Sequence, residues 1–131
     1  MKIFDNSKKL VAEVIKFEDI QSERHFYTDE DQDFQFASFN FKENTEVAKH
    51  IHNKQKRKIN TTSEVIVLIQ GGLDVDVYDD NKNLIKNLVL KEGDTIIFYS
   101  GGHGFKANKD SKFILYYASP LPHLPLQAPK D

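Results

Sequence analysis

Hydrophobic and polar positions alternate through much of the second half of the chain. Leu73, Val75 and Val77 are interleaved with Asp74, Asp76 and Tyr78, the period of two that turns one face of a strand to a core and the other to water. Val65 to Ile69, Leu88 to Leu90, Thr95 to Phe98 and Phe113 to Tyr117 are short β-branched and aromatic runs, and such side chains fit a pleated, half-buried surface. Between them stand Gln70 to Gly72, Asp79 to Asn83, Lys91 to Asp94, Ser100 to Gly102 and Lys109 to Ser111, which supply the Gly, Asp and Asn that tight turns need. Strands at that spacing predict an all-β sandwich or barrel.

The first half is less regular. Phe34 and Phe36 share one parity, Phe39 and Phe41 the other, so one extended segment through them predicts a bulge near Ala37-Ser38. Leu10, Val11, Val14, Ile15 and Phe17 fit a helical face, yet Val11 to Phe17 also suits an extended strand, and the strand is the preferred reading. Glu18 to Asp33, acidic with His25-Phe-Tyr27 inside it, predicts a surface excursion. All four prolines fall between Pro120 and Pro129, so residues 118–131 are expected to run extended over the surface, outside any sheet centre. No internal repeat or linker interrupts the 131 residues, which predicts one domain over 1–131 with its barrel core at about 34–117.

Charge and composition narrow the functional classes. Eighteen Lys+Arg against 20 Asp+Glu leave a net charge of -2, too weak a field to hold a polyanion, so no nucleic-acid partner is expected. The absence of cysteine removes thiolate zinc sites, thiol nucleophiles and disulfides, and leans towards a cytoplasmic setting. The start, Met1 to Lys9, carries charges where a signal peptide has its apolar region. The aliphatic run Val65 to Ile69 is far short of the ~20 residues that span a bilayer. A soluble protein without membrane association is expected.

Five histidines remain to be placed. In Lys49-His-Ile-His-Asn53, a strand would point His50 and His52 the same way and Ile51 the other. Two neutral imidazoles on one inward face are a natural pair of metal ligands. Glu64 precedes the Val65 strand, and His103 sits between two strands in Ser100-Gly-Gly-His-Gly104, where glycine permits unusual backbone close to a site. Three imidazoles and one carboxylate suit one divalent transition metal, Fe, Mn, Ni, Co or Zn, with room for water or substrate. Singly, each of these residues reads as ordinary surface or turn; the joint pattern is what points to metal. His25 and His123 have no partner pattern and are assigned to the surface.

The same residues resemble a known family. His50-Ile-His52, then Glu64, then six residues and Gly71 look like the first motif of the cupins, and Gly93-Asp94 followed by Ile96 to His103 looks like the second. The gap of eleven residues, Asn53 to Ser63, is longer than the usual motif has. The resemblance spans about Phe34 to Tyr117 and implies the cupin double-stranded β-helix, a jelly-roll barrel. It implies His50, His52, Glu64 and His103 as the metal ligands. Thr62-Ser-Glu64, Asp79-Asp80 and Gly93 to Phe105 further resemble small single-domain bacterial cupins that often accompany surface-polysaccharide genes, a subgroup with no established reaction.

Fold cannot select the activity. One reading is a metal-dependent enzyme, an isomerase, epimerase or oxygenase-type cupin, acting on a small polar or sugar-derived substrate. Arg57 then serves as a carboxylate or phosphate anchor and Tyr99 as a general acid, with Gln70 and Lys106 at the pocket. A second is a non-enzymatic sugar-binding module. A third is a metal-free sugar-nucleotide isomerase or epimerase in which histidines move protons unaided. The alternating segment Leu10 to Phe17 suggests an edge that pairs with a second subunit, and hence a homodimer.

Overall fold

The computed structural model describes residues 1–118; the expected proline-rich tail and His123 lie beyond them, apart from Ala118. Ten strands follow in chain order: β1 (Lys2–Phe4), β2 (Leu10–Ile15), β3 (Arg24–Phe26), β4 (Ala37–Phe39), β5 (Glu64–Gln70), β6 (Gly72–Tyr78), β7 (Leu84–Lys91), β8 (Thr95–Phe98), β9 (Gly102–Ala107) and β10 (Lys112–Tyr117). A 3-10 turn at Phe17–Asp19 is the one helical element among the described residues, so the fold is all-β. Five strands form a sheet in the order β1-β2-β8-β5-β10, three form a second as β7-β6-β9, and β3 pairs with β4. Every pairing is antiparallel. Within the described residues no sheet closes on itself; β1 and β10 are free margins of one, β7 and β9 of the other.

Side-chain parity divides the interior in two. Ile66, Leu68, Leu73, Val75, Ile96 and Phe98 fill the space between the two large sheets, where the alternation of β6 turns Leu73, Val75 and Val77 inward. The opposite face of the five-stranded sheet is also covered. There Ile15, Val65, Ile97 and Tyr99 pack under Phe34, which explains why β5 and β8 read as continuous apolar runs instead of alternating ones. Each fully buried aliphatic side chain contributes about 1.5–3 kcal/mol of transfer free energy, so a cavity at Ile66 or Ile96, both at 0% exposure, would cost about 2–5 kcal/mol.

Two hairpins are closed by the same five-residue loop. In Asp5–Lys9 the Asp5 Oδ1 accepts the N–H groups of Ser7 and Lys9 at 2.8 and 2.9 Å; in Asp79–Asn83 the Asp79 Oδ1 accepts those of Asn81 and Asn83 at 2.9 and 2.8 Å. An aspartate at the loop start thus replaces the missing backbone partners. In each loop the fourth residue is a lysine in left-handed backbone, Lys8 at φ 65° and Lys82 at φ 67°.

Three local expectations are corrected. Phe34 to Phe41 is not one bulged strand, since β4 pairs with β3 in unbroken register, Phe34 is buried, and the rings of Phe39 and Phe41 meet edge to face at the surface. Segment Leu10 to Ile15 is a strand, but β1 and β8 occupy both its edges within the chain, so it offers no edge to a second subunit. Residues 41–62 form no strand and are exposed throughout, against the expectation of a strand under His50 and His52. The run Lys54-Gln-Lys-Arg-Lys58 and the isolated Val47, Ile51 and Ile59 provide no apolar face to bury, and without one an extended segment gains nothing by joining a sheet.

Candidate functional site

Glu64 opens β5, immediately after the exposed segment. Its neighbours in register are Phe98 of β8 and Tyr117 of β10, and it shares the inward parity of Ile66 and Leu68. Position His103 is on β9, opposite Val77 of β6, which turns its imidazole toward the same interior from the other sheet. Sequence reasoning put His103 in a turn; the turn is Ser100 to Gly101, and the histidine belongs to the strand that follows. Gly101 adopts φ +71°, a conformation glycine takes at little steric cost, and its N–H donates to Asp80 Oδ1 at 3.1 Å.

Across the inter-sheet space His103 Nε2 lies 3.2 Å from Glu64 Oε2. Glu64 is almost fully withdrawn from solvent, while the His103 side chain keeps 22% of its surface. The imidazole stacks on Phe98, ring centroids 3.9 Å apart and 12° from parallel, so one ring face is covered and its rotation is restricted. Phe105 lies nearly parallel beyond it, and Phe113 meets Phe105 edge-on. Burial, with the negative charge of Glu64, pushes the Tyr117 phenol above its ordinary value. His103 also borders an open depression of about 420 Å3 shared with Tyr78, Asp80, Lys82 and Gly102.

His50 and His52 stand apart from that pair, on the exposed segment. Their rings meet edge to face, centroids 4.9 Å apart, and Ile51 between them is 88% exposed. The Nδ1 of His50 donates to the Ala48 carbonyl at 2.8 Å, which leaves Nε2 with the free lone pair, the tautomer of a metal ligand. Among the described residues no three His, Asp or Glu side chains group closely enough to hold a metal ion. Of the four expected ligands the fold brings Glu64 and His103 together, and His50 and His52 do not join them.

Tyr99 and Arg57 belong to the other side of the five-stranded sheet. Tyr99 is buried against Phe34, ring centroids 6.3 Å apart, and its hydroxyl donates to Glu13 Oε2 at 3.3 Å. Burial first, then the Glu13 charge, pushes its phenol well above the ordinary tyrosine range. A phenol so reluctant to ionise and facing away from His103 is a structural donor to Glu13. The exposed Arg57 borders a depression with Phe34, Phe36, Val67 and Tyr116, on that same outer face. Gln70 and Lys106 are exposed.

Sequence reasoning missed Phe98 as the stacking partner of His103 and Glu13 as a buried carboxylate. The first was legible as an aromatic within the Thr95 to Phe98 strand; the second interrupts the apolar run Val11 to Ile15, a charged residue where burial was expected. No helix among the described residues is long and apolar enough to cross a membrane. No protein-family model, curated protein or solved structure matches the chain.

Proposed function

We propose that the protein is a cupin-type β-sandwich that binds a small polar, sugar-derived molecule at the mouth between its sheets and moves a proton on it with His103. The observation that carries this reading is the 3.2 Å approach of His103 Nε2 to Glu64 Oε2. A carboxylate on one imidazole nitrogen fixes the tautomer and stabilises the imidazolium, which leaves Nδ1 as the nitrogen that takes and returns a proton. Stacking on Phe98 holds the ring so that little rotational freedom is lost when substrate arrives. Such chemistry is that of a sugar-nucleotide epimerase or ketoisomerase, in which a C–H proton next to a carbonyl is removed and replaced.

The reading is tested by incubating the full chain in deuterated water with a panel of sugar nucleotides and measuring deuterium incorporation by mass spectrometry. Exchange that falls by about 10²-fold or more in His103→Gln supports it, since general acid–base catalysis contributes about 10²–10⁴-fold. Exchange unchanged in that variant overturns it. Saturable binding with no exchange points instead to a non-enzymatic sugar-binding module.

A metal centre on His50, His52, Glu64 and His103 is the second reading, supported by the Nε2 lone pair that the Ala48 carbonyl leaves on His50. A divalent transition ion there would act as a Lewis acid on a bound oxygen. It requires the exposed segment to fold over the mouth. Elemental analysis of the protein as isolated separates the two readings: one equivalent of metal, lost in the double variant His50→Ala with His103→Ala while the β fold persists, supports the centre. Metal content that survives that substitution rejects the ligand assignment.

A further inference from the structure

Four strands bound the two large sheets, and three of them carry features that keep an edge from pairing further. β1 is three residues long, β7 has Lys86 and Asn87 at mid-strand, and β9 holds Gly102, Gly104 and Lys106. Short length, lysine and glycine each discourage a second chain from adding a strand. β10 has none of them past its first residue. After Lys112 its residues are all aliphatic or aromatic, and Phe113, Ile114 and Tyr116 are 38%, 62% and 58% exposed. It pairs with β5 on one side alone, so its outward N–H and C=O groups have no backbone partner among the described residues.

Both faces of β10 are apolar. Phe113, Leu115 and Tyr117 share the inward parity, where Phe113 meets Phe105 edge-on and Leu115 packs on the core. Ile114 and Tyr116 share the outer one, beside a depression of about 360 Å3 whose other walls include Phe34, Phe36 and Val67. A strand added at this margin buries apolar side chains on both faces while it satisfies the backbone groups. The sequence beyond Ala118 is a poor source of that strand, because Pro120, Pro122, Pro125 and Pro129 lack the N–H groups that a ladder needs.

A second copy of β10 meets the requirement. Residues opposite each other in an antiparallel pair put their side chains on the same face, so a two-fold axis between two copies of one strand must pass at a residue, never between residues. With the axis at Leu115, Ile114 comes opposite Tyr116 of the second copy and Phe113 opposite its Tyr117. Those are a β-branched residue with an aromatic and two aromatics together, the cross-strand pairs that stabilise sheets. The one charged residue of the strand, Lys112, comes opposite Ala118, so like charges do not face each other.

We propose that the protein forms a symmetric homodimer through β10, its two five-stranded sheets continuing as one across an antiparallel seam with the two-fold axis at Leu115. The seam does not depend on the acid–base role of Glu64 and His103.

The test is sedimentation equilibrium of the full chain over a concentration series reaching about 1 mM, a range that captures even a weak interface. The mass should rise to that of two chains. Ile114→Lys places a charge at an exposed position of the seam and should weaken association at least about tenfold, with the far-ultraviolet circular dichroism unchanged. The register is read with cysteines, which the chain otherwise lacks. An equimolar mixture of Ile114→Cys and Tyr116→Cys should form disulfide-linked dimers on air oxidation several-fold faster than either variant alone, because only the unlike positions face each other at bonding distance. Monomer at every concentration, association unchanged in Ile114→Lys, or no excess of cross-linking in the mixture overturns the proposal. If Ile114→Lys does not fold, the mass of the unaltered chain and the mixed cysteine variants decide.

Discussion

His103 Nε2 and Glu64 Oε2 lie 3.2 Å apart while belonging to different sheets, so one side-chain pair ties the two layers together at the open end of the sandwich. His103→Ala leaves Glu64 buried without its partner and strips a ring from Phe98, and is expected to cost about 1–3 kcal/mol in urea denaturation. His50→Ala and His52→Ala, on exposed residues, should stay within about 0.5 kcal/mol. Equal costs at His50 and His103 would contradict the buried pairing.

Asp94 is the buried carboxylate expected to contribute to acid stability. Burial works against its charged form, but the N–H of Lys91 at 2.9 Å, the Lys16 ammonium and the N–H of Phe17 at 3.1 Å outweigh it and hold the carboxyl below its ordinary 3.8. A depressed folded value means that the contribution is complete above 3.8 and disappears as the pH falls from there through the folded value. Asp94→Asn should lose about 1–3 kcal/mol at neutral pH and show a flatter decline on acidification. Urea midpoints measured across the acid range check both; an unaltered acid profile in the variant would count against this assignment.

Tyr99 has the opposite signature. Its phenol is raised above the ordinary 10.0, so its contribution is intact below that pH and is lost as the pH climbs through the folded value. Ultraviolet titration of the five tyrosines should show at least one phenol that ionises only with unfolding. In Tyr99→Phe that late phenol disappears, and Glu13 loses its donor at a cost of about 1–3 kcal/mol.

Gly101 sets the start of β9. A methyl group there would meet the Tyr78 carbonyl oxygen, and φ is +71°, so Gly101→Ala pays about 1–2 kcal/mol for left-handed backbone alone and must displace the strand that carries His103. Thermal melts should show the loss, and NMR of the His103 ring should show a changed environment next to Phe98.

Lys82 offers the reverse experiment. It holds φ 67° in the Asp79–Asn83 loop with its side chain exposed, and Lys82→Gly relieves about 1 kcal/mol or more of that strain, partly offset by about 0.5–1 kcal/mol of added unfolded-state entropy. A gain in stability of up to about 1 kcal/mol is expected in denaturant titrations. Lys82→Val should destabilise, because a β-branched side chain tolerates that backbone least.

The strands of the second half were legible because each of their signals is local. Alternation in Leu73 to Tyr78 and the glycine, aspartate and asparagine turns act within a few residues, and β5 to β8 and β10 formed where those signals stood. β9 escaped notice because Gly102-His-Gly104 dilutes its strand character; it is held by pairing to β6, a long-range contact. The H-x-H spacing specified two imidazoles on one face only on condition that a strand ran there, and the polar segment around it supplied no apolar face to make one.

By itself the amino-acid order determined the all-β class, the turn positions in the second half and the chemical inventory of carboxylates and imidazoles. Only the tertiary structure decided which of them meet. Glu64 and His103 come together because two antiparallel sheets place their inward parities opposite each other, whereas Tyr99, beside Phe98 in the chain, points the other way and bonds Glu13. One residue of register reverses a side chain across a sheet, and register is set by pairing between distant strands, which no local pattern encodes.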